Sequence, residues 1–173
     1  MAYNCGTCGK MHEDWPALCF KAPDNYVQLS KEDKEKYVTT INDDLCVIKY
    51  KDQTDRFIRC VLFQQIKDHE HDLEYGVWVS LSEKSFNDYT ANYYEEEHEA
   101  VYFAYLCNQF PEYGPMTGIK ANVMVPKGSS RPEVIPHDNQ IDSEFVRDYY
   151  EGITIEEAER RIGHLLHHTA LRN

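Results

Sequence analysis

The sequence predicts a mixed α+β fold: a mostly antiparallel sheet flanked by helices, with a Cys-x-x-Cys turn near the N-terminus and an amphipathic helix near the C-terminus. Three observations carry this. Residues 56–66 and 73–81 are apolar stretches joined by the polar segment Lys67-Asp68-His69-Glu70-His71-Asp72, the pattern of an antiparallel hairpin. In the second stretch Val77, Val79 and Leu81 alternate with Gly76, Trp78 and Ser80, a period of two. Thr154 and Glu157 form a T-x-x-E capping box. It opens a run in which Ile155, Ala158, Ile162, Leu165, Leu166 and Thr169 share one helix face at roughly 100° per residue.

The remaining elements follow in order. Residues 1–29 read as short extended pieces and turns, broken by Trp15-Pro16 and Ala22-Pro23. Ser30 with Asp33 three residues on is a capping box with Asp in place of Glu, so a short helix starts there. Leu45 to Tyr50 is β-branched and apolar, a strand. Ser82 caps a helix reaching about Tyr94. The run Glu95-Glu96-Glu97-His98-Glu99 is a solvated loop or helix end. Val101 to Cys107 and Lys120 to Val125 are strands, and Pro111 to Pro115 is a turn. Ser143 to Tyr150 is a short helix ended by Gly152. No repeat, low-complexity tract or long linker interrupts the chain, so residues 1–173 form one domain with 1–20 as a knuckle-like sub-element.

Composition narrows the function classes. The 173 residues carry 18 Lys and Arg against 30 Asp and Glu, a formal charge of −12. A phosphate backbone is repelled by such a surface unless basic residues are segregated, and the short basic runs are interleaved with acids. A basic protein is the better partner, and nucleic acid is not expected. Thirteen of the aromatic residues are Tyr, which join an apolar body to a polar tip. No basic segment followed by an apolar stretch opens the chain and no apolar run is long enough for a membrane span, which points to the cytoplasm and to reduced cysteines.

The candidate sites are few. Cys5-x-x-Cys8 followed by Gly9 has the form of a zinc knuckle: two thiolates two residues apart can share one tetrahedral ion, and glycine lets the turn close. His12 is a candidate third ligand and Cys19 a fourth; a pair of reduced thiols is the alternative. His69-Glu70-His71-Asp72 resembles a metal cluster but lies in a hairpin loop, where polar residues collect without function. His164 and His168 are one helical turn apart but lie opposite Ile155, on the solvent side. Cys46, Cys60 and Cys107 lie in apolar strand patterns and read as small hydrophobes. Trp78 packs in the sheet. Arg59, beside it, has the fork that suits a carboxylate, with an ion pair to one of the many acids as the ordinary use. Neither a nucleophile elbow, a P-loop nor an HExxH motif is present.

These motifs, taken together, resemble an uncharacterised bacterial family, domain of unknown function 2199. They are Cys5-x-x-Cys8-Gly9-x-x-His12, Asp44-Leu45-Cys46-Val47-Ile48, Arg59, Gly76-Val77-Trp78-Val79-Ser80-Leu81-Ser82-Glu83, Tyr105-Leu106-Cys107-Asn108, Arg131-Pro132 and Gly152-Ile153-Thr154. The resemblance spans nearly the whole chain. One departure is Ser143, where relatives carry a His nine residues before the Gly-Ile-Thr; its absence would remove a metal ligand. The resemblance implies no activity. The expectation is a non-catalytic acidic module that binds a basic protein, of which an immunity protein neutralising a basic toxin is one form. The alternative is a small zinc-dependent enzyme using Cys5, Cys8 and His12.

Overall fold

The computed structural model describes residues 3–4, 11–12, 15–128, 130–140 and 142–170, without the side chains of 3–4, 11–12 and 165–170. Its strands are β1 (Tyr3–Asn4), β2 (Met11–His12), β3 (Leu18–Cys19), β4 (Val38–Ile41), β5 (Leu45–Lys49), β6 (Thr54–Gln64), β7 (Leu73–Leu81), β8 (Ala100–Leu106), β9 (Lys120–Val125) and β10 (Glu133–Pro136). Its helices are α1 (Asp24–Val27), α2 (Lys31–Tyr37), α3 (Glu83–Ala91), α4 (Glu144–Glu151) and α5 (Ile155–Ala170).

The predicted hairpin is the spine of the fold. β6 and β7 pair antiparallel from Phe57↔Ser80 to Gln64↔Leu73. Their alternation sorts side chains to two faces, and both faces find apolar cover. One row, Ile58, Cys60, Leu62 and Gln64 with Leu73, Tyr75, Val77 and Val79, is buried toward the larger core. On the opposite face Phe57 and Trp78 join Cys46 and Ile48 in a second core, covered by residues of α1 and α2 such as Tyr26 and Tyr37. Trp78 is fully buried, donates its indole N–H to Phe20 O at 3.1 Å and its backbone N–H to Asn108 Oδ1 at 2.7 Å.

The sheet is mostly antiparallel, as expected, and in addition it closes on itself, which the sequence does not announce. From β7 the order runs through β8, β9 and β10, and β10 returns to β6 in a parallel pairing at Glu133↔Val61. The result is a five-stranded barrel of β6, β7, β8, β9 and β10. β6 can serve two neighbours because it is long: its first half pairs with β5 and its second half reaches β10. β4 extends the sheet beyond β5, and β3 adds a parallel pair to β7 at Leu18↔Tyr75 and Cys19↔Gly76. Barrel closure removes edges that would otherwise attract other strands.

Local signals set the helices. Ser30, Ser82 and Ser143 each accept a hydrogen bond from the backbone N–H three residues on, at 3.0, 3.1 and 3.4 Å. Each is therefore an N-cap. Ser143, the departure from the resembling family, is thus a helix cap in this chain. α3 ends at Ala91 rather than near Tyr94. Thr154 caps α5 through Glu157 N at 3.2 Å, but the Glu157 carboxylate turns to Arg160 and Arg161 instead of closing the box. On α5 Ala158 and Ile162 are buried and His164 is exposed, while Leu165, Leu166, His168 and Thr169 lie outside the described side chains.

α5 also buries a charge that its apolar pattern does not announce. Arg161 is only 2% exposed. Its guanidinium donates to Glu157 Oε1 at 2.8 Å, Tyr75 OH at 3.2 Å and Tyr113 OH at 2.7 Å, and Tyr113 in turn donates to Asp148 at 2.8 Å. Every nitrogen has a partner, which is the condition for burying an arginine. The hydrogen bond from Arg160, reinforced by Arg161, holds the Glu157 carboxyl at about 2, well below its usual range. Burial pushes the Tyr75 phenol up to about 12.

Candidate functional site

The metal reading falls mainly on residues outside the description. Cys5 and Cys8 lie there; what is described is the frame around them. β1 and β2 pair antiparallel at Tyr3↔His12 and Asn4↔Met11, so residues 5–10 connect two paired strands. His12 is the last residue of β2, its side chain outside the description. Cys19 is exposed, with its side chain over Gly76 of β7. Among the described residues no three His, Cys, Asp or Glu side chains converge as a metal site.

The hairpin-loop cluster has a structural occupation. His69 stacks on Trp15 at a centroid distance of 4.8 Å and an interplanar angle of 2°. Its Nδ1 lies 3.1 Å from the His71 N–H that donates to it. Asp68 supplies the positive φ of 58° that the turn needs. The loop thus anchors the segment leading into β3.

The thiols differ by burial. Burial pushes Cys46 up to about 12 and Cys107 up to about 11, and it also raises Cys60. A protonated thiol is a poor nucleophile. Cys107 also donates to Tyr105 O at 3.3 Å.

The features with room for a partner lie on the barrel's outer surface. Along β8, Tyr102, Ala104 and Leu106 point inward, while Val101, Phe103 and Tyr105 point out and are 57%, 49% and 40% exposed. Met124 of β9 stands opposite Val101 and is also exposed. Phe103 meets Tyr105 and His137 edge-on at 5.2 and 5.6 Å. An exposed contiguous apolar patch of this kind is the feature that marks interaction surfaces. Exposed Glu95, Glu96, Glu97 and Glu99 precede β8 directly, and among the described residues only Glu97 of these pairs with a cation, Lys127 at 3.2 Å.

Phe103 and Tyr105 also form one wall of an open cleft of about 900 Å³. Asp24 of α1, Gln28 just after it, Arg56 and Ser80 are among its polar lining. Arg56 is held by Glu83 at 2.9 Å, and Asp24 accepts the Gln109 N–H at 2.8 Å. The cleft offers contact area and hydrogen bonds, and its cation is already paired.

Two acidic segments rich in Tyr, residues 88–99 and 148–151, offer rings beside carboxylates, but they are partly internal. Tyr89 is buried and Tyr149 half-buried. Asp88 receives Tyr102 OH at 2.6 Å and Asp148 receives Tyr113. Tyr94, 91% exposed, and Tyr150, 47% exposed, remain as outward rings. The β8 row was not singled out from the sequence. Its signal was present in Ala-Val-Tyr-Phe-Ala-Tyr-Leu, which is apolar on both alternating faces although only one can face the barrel.

No helix among the described residues is long and apolar enough to cross a membrane. No curated protein and no solved structure matches the chain. Residues 4–153 match the model of domain of unknown function 2199, and the chain belongs to that family of uncharacterized proteins conserved in bacteria.

Proposed function

We propose that this protein is a non-catalytic binding module that docks a basic protein on the outer face of β8 and β9. The observation that supports it is the exposed row Val101, Phe103 and Tyr105, with Met124 beside it, next to the acidic run that precedes β8. Aromatic side chains supply anchors at interfaces. Acids around them speed encounter with a basic partner and reject acidic ones. An immunity protein that neutralises a basic toxin, such as a nuclease, is one concrete form of this reading. A photo-crosslinker at position 105 would capture the partner in the source bacterium. The purified partner should be basic and should bind more weakly as salt rises and to Phe103→Asp by tenfold or more. Equal binding to the variant, or capture of nucleic acid, would overturn the reading.

The N-terminal hairpin supports a second, compatible proposal: Cys5 and Cys8, with His12, hold a structural zinc ion. Two soft thiolates select zinc over magnesium or calcium, and β1–β2 pairing brackets them in one connection. Zinc content and melting temperature of the wild type and a Cys5→Ser, Cys8→Ser variant test it. Equal zinc content would leave these residues as reduced thiols. The zinc-dependent enzyme remains the competing reading, and hydrolytic activity lost with the metal would favour it over a structural ion.

A further inference from the structure

Among the described arginines, Arg56, Arg131, Arg160 and Arg161 each hold a carboxylate, and Arg147, which holds none there, is exposed on α4. Arg59, part-buried on the outer face of β6, holds none among the described residues, and its Nε is cut off from water with no hydrogen-bond partner. In a chain with 30 acids and 18 basic residues a part-buried guanidinium that no described acid reaches is out of place. An ionised donor taken out of water without an acceptor is costly.

Its position is set by the absence of a side chain. A Cβ placed on Gly76 would fall 3.1 Å from Arg59 Nη2, 3.4 Å from Arg59 Nε and 2.8 Å from Cys19 Sγ. Glycine at 76 therefore leaves a cradle in which the Nε–Nη2 edge of the guanidinium lies across β7. That edge carries two parallel N–H groups, the pair that matches the two oxygens of a carboxylate. Cys19, exposed on β3, forms the rim. The next residues on the same face of β6 are Val61, half-buried, and Phe63, 38% exposed. Glu133 stands opposite Val61 and Glu74 opposite Phe63, so carboxylates flank the apolar stretch and a negative group is favoured at the Arg59 end.

We propose that Arg59, in the cradle left by Gly76 and rimmed by Cys19, is a receptor for a carboxylate attached to a short apolar body. The guanidinium fork takes the carboxylate, and Val61 and Phe63 contact the body. The exposed Cys19 side chain is the group that must turn aside to admit it. This site is distinct from the β8–β9 surface and does not depend on what docks there.

Cys19 provides the readout. Alkylation of the folded protein by iodoacetate and by iodoacetamide, resolved by residue in a mass spectrometer, compares an anionic with a neutral reagent at one thiol. Charges about 6 Å apart in water alter such a rate by about threefold, so the iodoacetate-to-iodoacetamide ratio should fall by about that factor in Arg59→Gln. Benzoate should protect Cys19 saturably, acetate more weakly and neutral benzamide not at all. Arg59→Lys keeps the charge without the fork; it should keep the rate ratio and lose the benzoate protection. If Arg59→Gln does not fold, the Arg59→Lys variant and the three protectants still decide. A ratio unchanged by Arg59→Gln, protection by benzamide equal to that by benzoate, protection retained in Arg59→Lys, or a Cys19 unreactive toward both reagents would each overturn the proposal.

Discussion

The buried core and the outer surface handle the same residue types in opposite ways. Inside, Arg161, Tyr75 and Tyr113 are buried and mutually bonded. Outside, Phe103 and Tyr105 stand in solvent and the Arg59 Nε has no acceptor among the described residues. A buried polar group without partners is selected against unless something else completes it. The contrast therefore separates side chains whose interactions are complete within the fold from those whose interactions are not. Substitutions inside should cost stability, and substitutions outside should cost binding.

The largest expected effect is on the inside. Arg161→Ala strands the Glu157 carboxylate and the phenols of Tyr75 and Tyr113, and removing one member of a buried ionic set costs about 3–5 kcal/mol. Arg161→Met fills the volume without the charge and should cost less if paired with Glu157→Gln. Urea unfolding measures both. A loss below about 1 kcal/mol for Arg161→Ala would show that water replaces the guanidinium and that the network is not closed.

Next comes Ile162, 5% exposed on the same helix. Ile162→Ala should cost about 2–5 kcal/mol. A change near zero would mean that α5 packs through Arg161 alone.

Acid provides a smaller perturbation of the same helix. Glu157 has a folded-state value of about 2 against an ordinary 4.5. A depressed carboxyl contributes stability that is fully present above its unfolded value and is lost as pH falls through the folded one. The loss should therefore run from about pH 4.5 down to about pH 2, on the order of 1–2 kcal/mol once the partial exposure of the carboxylate is allowed for. Glu157→Gln should flatten the profile in that window. An unchanged slope would assign the acid sensitivity to other carboxylates.

What was legible in the sequence follows the same division. The β6–β7 hairpin and the Ser30, Ser82 and Thr154 caps are written in local patterns, and these elements form where expected. Barrel closure is not local. It rests on β10, four residues ending in Pro136, and on one parallel pairing with Val61 across more than 70 residues. β3 and β4 are too short to carry a periodic signal. Arg59 was visible as a carboxylate fork, but that no described acid reaches it depends on the strand register that sets Gly76 across from Val61. The second core behind Trp78 was also hidden, because a strand covered on both faces loses the alternation that marks a half-exposed one.

The smallest expected stability effect sharpens the comparison most. Phe103 is 49% exposed and its ring meets only the edges of Tyr105 and His137. Phe103→Asp removes apolar surface that is already half in water, so unfolding free energy should change by about 0.5 kcal/mol or less. The neighbouring inward positions set the reference: Tyr102→Asp or Leu106→Asp, on the same strand, would bury a carboxylate in the core and should prevent folding. The two kinds of position differ only in the face of β8 they occupy. If Phe103→Asp is as stable as wild type and loses partner binding, the outer row exists for contact with another molecule. If it unfolds the protein, the row is part of the fold's own packing, and the docking surface must be sought elsewhere on the acidic exterior.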